Sequence, residues 1–286
     1  MFRHILVPVS FGESLDLIEP FVAAIARRFQ SKITLLHAVD VPVTWFGGVA
    51  GGYGMAFDVA ALESAARTRL AAAFESTAAE LEVSRVVQQG EPADCITSFA
   101  AEHGADLIMM STHGIGLFRS LLLGSIAAKV LHDAGCSVWM SAHLEDAVPN
   151  AQPACRTIVC AVNPGPEAVA VVRRAAEIAK HFEATVSLVY GVGVVSITEL
   201  DMDTGYLQFL LDRARASVAA IQAEAGTAFE VCVGEGAVSS VIREEALRLD
   251  ADLIVTGRGE VHETLGRLRS EAYSIIRDSP CPTLCL

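Results

Sequence analysis

The chain repeats itself, and this restricts its fold more than any other feature of the sequence. Residues 3–10, RHILVPVS, match 156–163, RTIVCAVN, in residue type and order. In the same register RRFQSKITLLHAV (27–39) lies over KHFEATVSLVYGV (180–192), with Phe29 over Phe182. GEPA (90–93) then lies over GEGA (234–237), GADLIMM (104–110) over DADLIVT (250–256), and AGCSVWM (134–140) over SPCPTLC (279–285). Matching segments in the same order predict a tandem duplication. The expected division is a first domain over 1–142, a linker over 143–154 and a second domain over 155–286. The linker expectation rests on the polar, proline-bearing HLEDAVPNAQPA (143–154).

Within each repeat, strand-like and helix-like segments alternate. Continuous apolar runs such as ILVPV, ITLLHAV and DLIMM suit parallel strands covered on both faces. In the first half strands are expected near 3–9, 32–39, 83–89, 106–110 and 137–141. Helices are expected near 14–30, 58–81, 93–103 and 125–133, the second from its Ala, Leu, Glu and Arg content. Strand–helix alternation predicts an α/β fold, two tandem open doubly wound parallel five-stranded sheets of Rossmann-like type with helices on both faces. Hydrophobic residues make up 52% of the 286 and charged residues only 19%, enough to bury two such cores and too apolar for a disordered chain.

In such sheets ligands bind beyond the carboxyl ends of the strands, where the strand order reverses. The stretch STHGIGLFRSLLLGS (111–125) follows the fourth strand and falls on that edge. A glycine lets backbone N–H groups approach an anion, and a helix amino terminus supplies unpaired donors with a positive dipole end. Gly124-Ser125 before IAAKVLHD offers both, with Gly114 and Gly116 opening the loop ahead of it. The same residues also suit a plain turn and helix cap.

Taken together, ILVPVSFGES, LLHAVD and STHGIGLFRSLLLGS…AAKVL resemble the universal stress protein (UspA) superfamily in its tandem form, over 2–142 and 155–286. The resemblance implies the nucleotide pattern G-x2-G-x9-G-[ST] after the fourth strand, here Ser111, Gly114, Gly124 and Ser125, with serine in place of the first glycine. It implies a nucleoside contact at Ser10, where ATP-binding members carry Asp. It also implies Pro8, Ala38, Met110, His113 and Ile126 around base and phosphates. It further implies that the terminal strands CSVWMSA and CPTLCL pair with each other, which would make the chain an intramolecular pseudo-dimer, and two chains could associate again as a homodimer. The ligand so implied is ATP or AMP, with no metal site of the protein's own. The second half departs further: Asn163 stands at the Ser10 position, Gly257, Gly259 and Ser270 persist, and Arg269 replaces Gly124. A long side chain there blocks close backbone approach, or itself pairs with an anion.

Function is then expected to be that of a cytoplasmic stress-response module that binds ATP or AMP in the first half and acts through signalling partners, with little or no hydrolysis. No Walker-type lysine or positioned base is visible. A scaffold with degenerate sites is the alternative raised by Ser10, Ser111 and Arg269. A weak ATPase or nucleotide-transferring enzyme is the third reading. A net charge of −13 argues against nucleic acid and anionic membranes as partners. No apolar run reaches the roughly 18–20 residues of a membrane span. The opening MFRHILVPVS lacks signal-peptide layout. Seven cysteines without a C-x-x-C pair are expected to be reduced thiols. The eight histidines show no metal-ligand spacing, and His37 is expected as a satisfied core residue. The glycine cluster GGVAGGYG (47–54) lacks a Walker A ending and reads as a flap or a connection. No G-x-S-x-G elbow for a serine hydrolase is present.

Overall fold

A computed structural model describes residues 1–11, 14–40, 58–111, 123–141, 155–193, 204–258 and 271–286. The glycine cluster 47–54, the linker 143–154, His113, Gly114, Gly259, Arg269 and Ser270 lie outside the described residues. Two compact units are present.

The first unit takes Met1–Met110 and Ser125–Cys136. It holds β1 (His4–Pro8), α1 (Ser14–Phe29), β2 (Lys32–Val39), α2 (Val59–Ala71), α3 (Glu75–Ala78), β3 (Val83–Gln89), α4 (Pro92–His103), β4 (from Leu107, ending at Ser111) and α5 (Ser125–Asp133). Its strands run in the order β3-β2-β1-β4, all parallel. β1 therefore has its chain successor β2 on one side and β4 on the other, which makes the β1/β4 crevice the switch point. Ile5, Leu6 and Val7 are each fully buried in succession, as a strand with both faces covered requires.

The second unit holds β5 (Ser137–Ser141), β6 (Thr157–Ala161), α6 (Ala168–Phe182), β7 (Thr185–Val192), α7 (Thr204–Ala225), β8 (Glu230–Glu235), α8 (Val238–Arg248), β9 (Leu253–Thr256), α9 (Glu271–Asp278) and β10 (Thr283–Cys285). The order β10-β9-β6-β7-β8 is parallel and repeats the first unit's pattern. β5 pairs antiparallel with β10, setting Met140, Trp139 and Val138 opposite Thr283, Leu284 and Cys285. CSVWMSA and CPTLCL thus meet, as the family resemblance implied. Gly191 in β7 has no room for a side chain: a Cβ there would stand 2.9 Å from the Val238 Cα that opens α8. The mostly parallel α/β class expected from the repeats is the class observed.

The acidic residue shared by GADLIMM and DADLIVT is structural in both halves. The Asp106 carboxylate accepts from the Arg3 amide at 2.9 Å and the His4 amide at 3.2 Å. Asp252 accepts from the Arg156 and Thr157 amides at 2.7 and 2.9 Å. Each ties the start of a central strand to its neighbour at the edge opposite the switch point, satisfying donors that open the strand.

One sequence expectation is corrected. The helix expected over 58–81 is two helices, α2 and α3, separated by a turn at Ala72–Phe74. Phe74 adopts φ 54° and is buried. The freed carbonyls of Leu70 and Ala73 accept from the Arg85 guanidinium on β3 at 3.0 and 2.6 Å. A buried aromatic and a buried-side donor outweigh helix propensity there.

His4 is buried on β1 and joins a polar chain across three strands. Its Nδ1 bonds the His103 carbonyl at 3.3 Å, its Nε2 the Thr34 hydroxyl at 2.8 Å, and Thr34 the Ser84 hydroxyl at 2.8 Å. Neutral imidazole fits this chain, donating at one nitrogen and accepting at the other. Burial, then the charge of Lys32, hold its pKa below the ordinary 6.5. The unfolded chain therefore binds the proton more readily, so this stability is present above about pH 6.5 and is lost as pH falls through the lower folded value. Urea unfolding between pH 7.5 and 5.5 is expected to lose up to about 1.4 kcal/mol per pH unit through this group. His4→Gln is expected to flatten that slope; an unchanged slope would assign the acid sensitivity to other groups.

Candidate functional site

The parallel register sets the candidate residues of the first half on one edge. Pro8 closes β1 opposite Leu36, with Ala38 two residues further along β2. Met110 lies next to the end of β4, which pairs with β1 through Ile5–Leu107 and Leu6–Ile108. Ser10 is exposed two residues beyond β1. Ser111 is the last residue of β4, Gly124 directly precedes α5, and Ser125 is the first residue of that helix. Ile126 follows it and is 40% exposed, a large apolar side chain left open at the amino end of α5. Pro8 and Ala38 are half-buried on the same edge, and Met110 is buried. His113 and Gly114 lie outside the described residues.

No acidic residue stands in the first turn of α5, so no carboxylate of that turn compensates the positive end of its dipole. The helix is held in place from its middle. The Lys129 ammonium donates to Asp94 at 2.6 Å and Glu91 at 3.0 Å on α4, and both bonds push its pKa up. Glu91, from the repeated GE pair, also caps α4 by accepting from the Asp94 amide at 2.9 Å. Lys129 is thereby committed to positioning α5.

A cluster that sequence reasoning missed lies beside this edge. Phe11, just past Ser10, adopts φ 51°. Its ring meets His37 of β2 at 4.2 Å between centroids, and the Arg69 guanidinium of α2 lies 4.3 Å from its centroid. Arg69 also donates to the Phe11 carbonyl at 3.2 Å. His37 is half-buried, not a core residue, and its Nδ1 bonds the Val9 carbonyl at 2.7 Å. The outcome is a fixed aromatic face with a cation on it at the end of β1 and β2. Nothing local in the sequence pairs Phe11 with Arg69.

The second half places its counterparts differently. Asn163 stands two residues beyond β6, as Ser10 does beyond β1. Its amide donates to the Glu271 carboxylate at 3.0 Å. Glu271 opens α9. Gly257 follows β9, and a Cβ there would stand 3.2 Å from Val171 Cγ2 and 3.7 Å from Glu167 Oε2. Burial, then the Glu271 charge, push the Tyr190 phenol up. Gly259, Arg269 and Ser270 lie outside the described residues.

The cysteines are free thiols. Burial pushes Cys155, Cys160, Cys281 and Cys285 up to about 12, which leaves them protonated and unreactive. Among the described residues no three His, Cys, Asp or Glu side chains are grouped to hold a metal. No helix there is long and apolar enough to cross a membrane.

Comparison with known proteins agrees with this fold. The family model "Universal stress protein family" matches residues 1–141 and again 155–286. A universal stress protein of Methanocaldococcus jannaschii is 26% identical over 144 residues, covering 46% of this chain and 89% of the relative. One from Thermus aquaticus is 28% identical over 146 residues, covering 49% and 98%. The crystal structure of a universal stress protein from Archaeoglobus fulgidus shares the fold across 99% of this chain and 95% of its own, with TM-score 0.69 and 19% identity. The half-length relatives each match one repeat's worth of sequence, and the family model matches both repeats. The chain belongs to the universal stress protein family.

Proposed function

We propose that the first half, within 1–142, binds ATP or AMP at the carboxyl ends of β1, β2 and β4, and that the protein acts as a stress-response module through this occupancy. The observation that carries the reading is the amino end of α5: Gly124 leads into Ser125, no first-turn carboxylate competes, and Ile126 lies open beside it. That end offers unpaired N–H donors and a positive dipole to a phosphate chain. Pro8, Ala38 and Met110 supply apolar surface for a base, and Ser10 and Ser111 supply hydroxyls. Gly114 and His113 complete the set expected of the loop. The cofactor is held without a metal ligand from the protein. The second half, 155–286 beyond the linker 143–154, keeps Asn163, Gly257, Gly259, Arg269 and Ser270 at the corresponding positions in a degenerate form.

Little or no hydrolysis goes with this site, since none of the assigned residues is a lysine or a positioned base. The protein then works in the cytoplasm as a nucleotide-responsive partner for other proteins. It is paired within itself through β5 and β10, and two copies could pair again. Titration calorimetry with ATP and AMP, beside mass spectrometry of nucleotide that co-purifies, tests this. Saturable binding of one nucleotide per chain is the expected result. Absence of heat at millimolar ATP would retire it in favour of a scaffold with lost sites, the reading that Ser10 in place of an acidic residue favours. Turnover above a few per second would point instead to an enzyme.

A further inference from the structure

In the second unit the amino end of α9 already faces an anion, and the chain supplies it. Glu271 is the first residue of the eight-residue helix α9. Its carboxylate is bound by the Asn163 amide at 3.0 Å across 108 residues of chain. Asn163 follows β6 and α9 comes in the chain after β9, and these neighbouring strands flank the switch point of this unit. The bond therefore spans the place where a ligand of the second half would have to enter. A second carboxylate, Glu167, stands 3.7 Å from where a Cβ on Gly257 would be, at the end of β9. The first unit differs at each step: Ser10 stands for Asn163, and α5 carries Ser125 and Ile126 with no acidic residue in its first turn.

A carboxylate at a helix amino terminus is stabilised by the dipole and by the unpaired amides there. A second anion at the same terminus meets like-charge repulsion. We propose that Glu271 sets the specificity of the second half: held by Asn163, its carboxylate takes the position of a ligand phosphate, so this half rejects nucleoside phosphates while the first stays open to them. The second half is then a permanently self-filled copy, and one nucleotide per chain is its limit. The rejection by the second half stands on that unit's own contacts, and the limit of one nucleotide per chain rests on the first half binding as proposed above.

The test is amide NMR of the full isotope-labelled chain titrated with ATP and, separately, with inorganic phosphate. In the wild type the amides of Glu271, Ala272 and Tyr273 are expected to stay unmoved. In Glu271→Ala they are expected to shift saturably, with apparent affinity for ATP raised about tenfold or more, the scale of one charge at a helix end plus its freed donors. Glu271→Gln, which keeps the shape and the Asn163 bond without the charge, is expected to fall between the two and guards against a misfolded alanine variant. Saturable shifts at 271–273 in the wild type, or no gain in both variants, would overturn the proposal. The amides of Ser125–Ala127 report the first half in the same spectra, so its failure is read separately.

Discussion

Gly124→Arg is expected to weaken ATP binding at least about a hundredfold, the loss of one or two charge-assisted hydrogen bonds of ~1.5–3 kcal/mol each. Gly124 is the last residue before α5 and is half-buried at its amino end. With no Cβ, the chain there can bring its N–H groups up to a phosphate oxygen. An arginine adds a side chain across that approach and keeps the ligand at side-chain distance. The second half is a natural precedent for tolerance: Arg269 stands at the corresponding place and α9 still forms after it. The fold is therefore expected to survive, with an unfolding midpoint within about 4 °C of the wild type, equivalent to roughly 1 kcal/mol for a domain of this size. Calorimetric titration and thermal unfolding on the same sample check both halves of the expectation. Affinity retained within threefold would place the phosphates somewhere other than the amino end of α5.

Trp139→Ala is the substitution expected to cost most stability, about 3–5 kcal/mol. Trp139 is 4% exposed in the middle of β5, directly opposite the fully buried Leu284 of β10. Its indole N–H donates to the Ser141 hydroxyl at 3.2 Å. β10 is only three residues long, so it depends on neighbours for its packing. Truncating the indole removes a large apolar surface and leaves a cavity that a short strand cannot fill. Urea unfolding followed by circular dichroism gives the loss. Hydrogen exchange locates it, with β10 and β9 losing protection before β2 and β3. A loss under 1 kcal/mol would show that β5 can be repacked without its tryptophan.

Much of the fold was legible because the signals are local and occur twice. ILVPV and TIVCA are runs of mostly buried, mostly apolar side chains, and each lies in a central parallel strand. The expected β2 and β3 match the observed residues, because propensity and the flanking turns coincide there. The break at Phe74 was not legible. The segment around it has helical composition, and the donor that stabilises the open carbonyls is Arg85, a residue of the following strand. Similarly, the acidic residue of the repeated ADLI segments looks like one carboxylate among many in sequence. Only strand pairing reveals that Asp106 and Asp252 hold the first amides of β1 and β6.

The candidate site divides along the same line. Gly124 and Ser125 could be named in advance from the start of a helix after the fourth strand, and Pro8, Ala38 and Met110 from the family resemblance. The Phe11–His37–Arg69 cluster and the Asn163–Glu271 bond could not. Each joins residues far apart in the chain whose approach depends on how helices lie over the sheet.

The sequence by itself determined the duplication, the α/β class and the strands. Hydrophobic period and turn chemistry act over a few residues, and repetition doubles their weight. The tertiary structure decided that Asn163 binds the Glu271 carboxylate at the start of α9, where the 58–81 segment breaks, and what the repeated acidic residues do. These depend on side chains brought within about 3 Å from distant parts of the chain, and hydrogen bonds act only at that range.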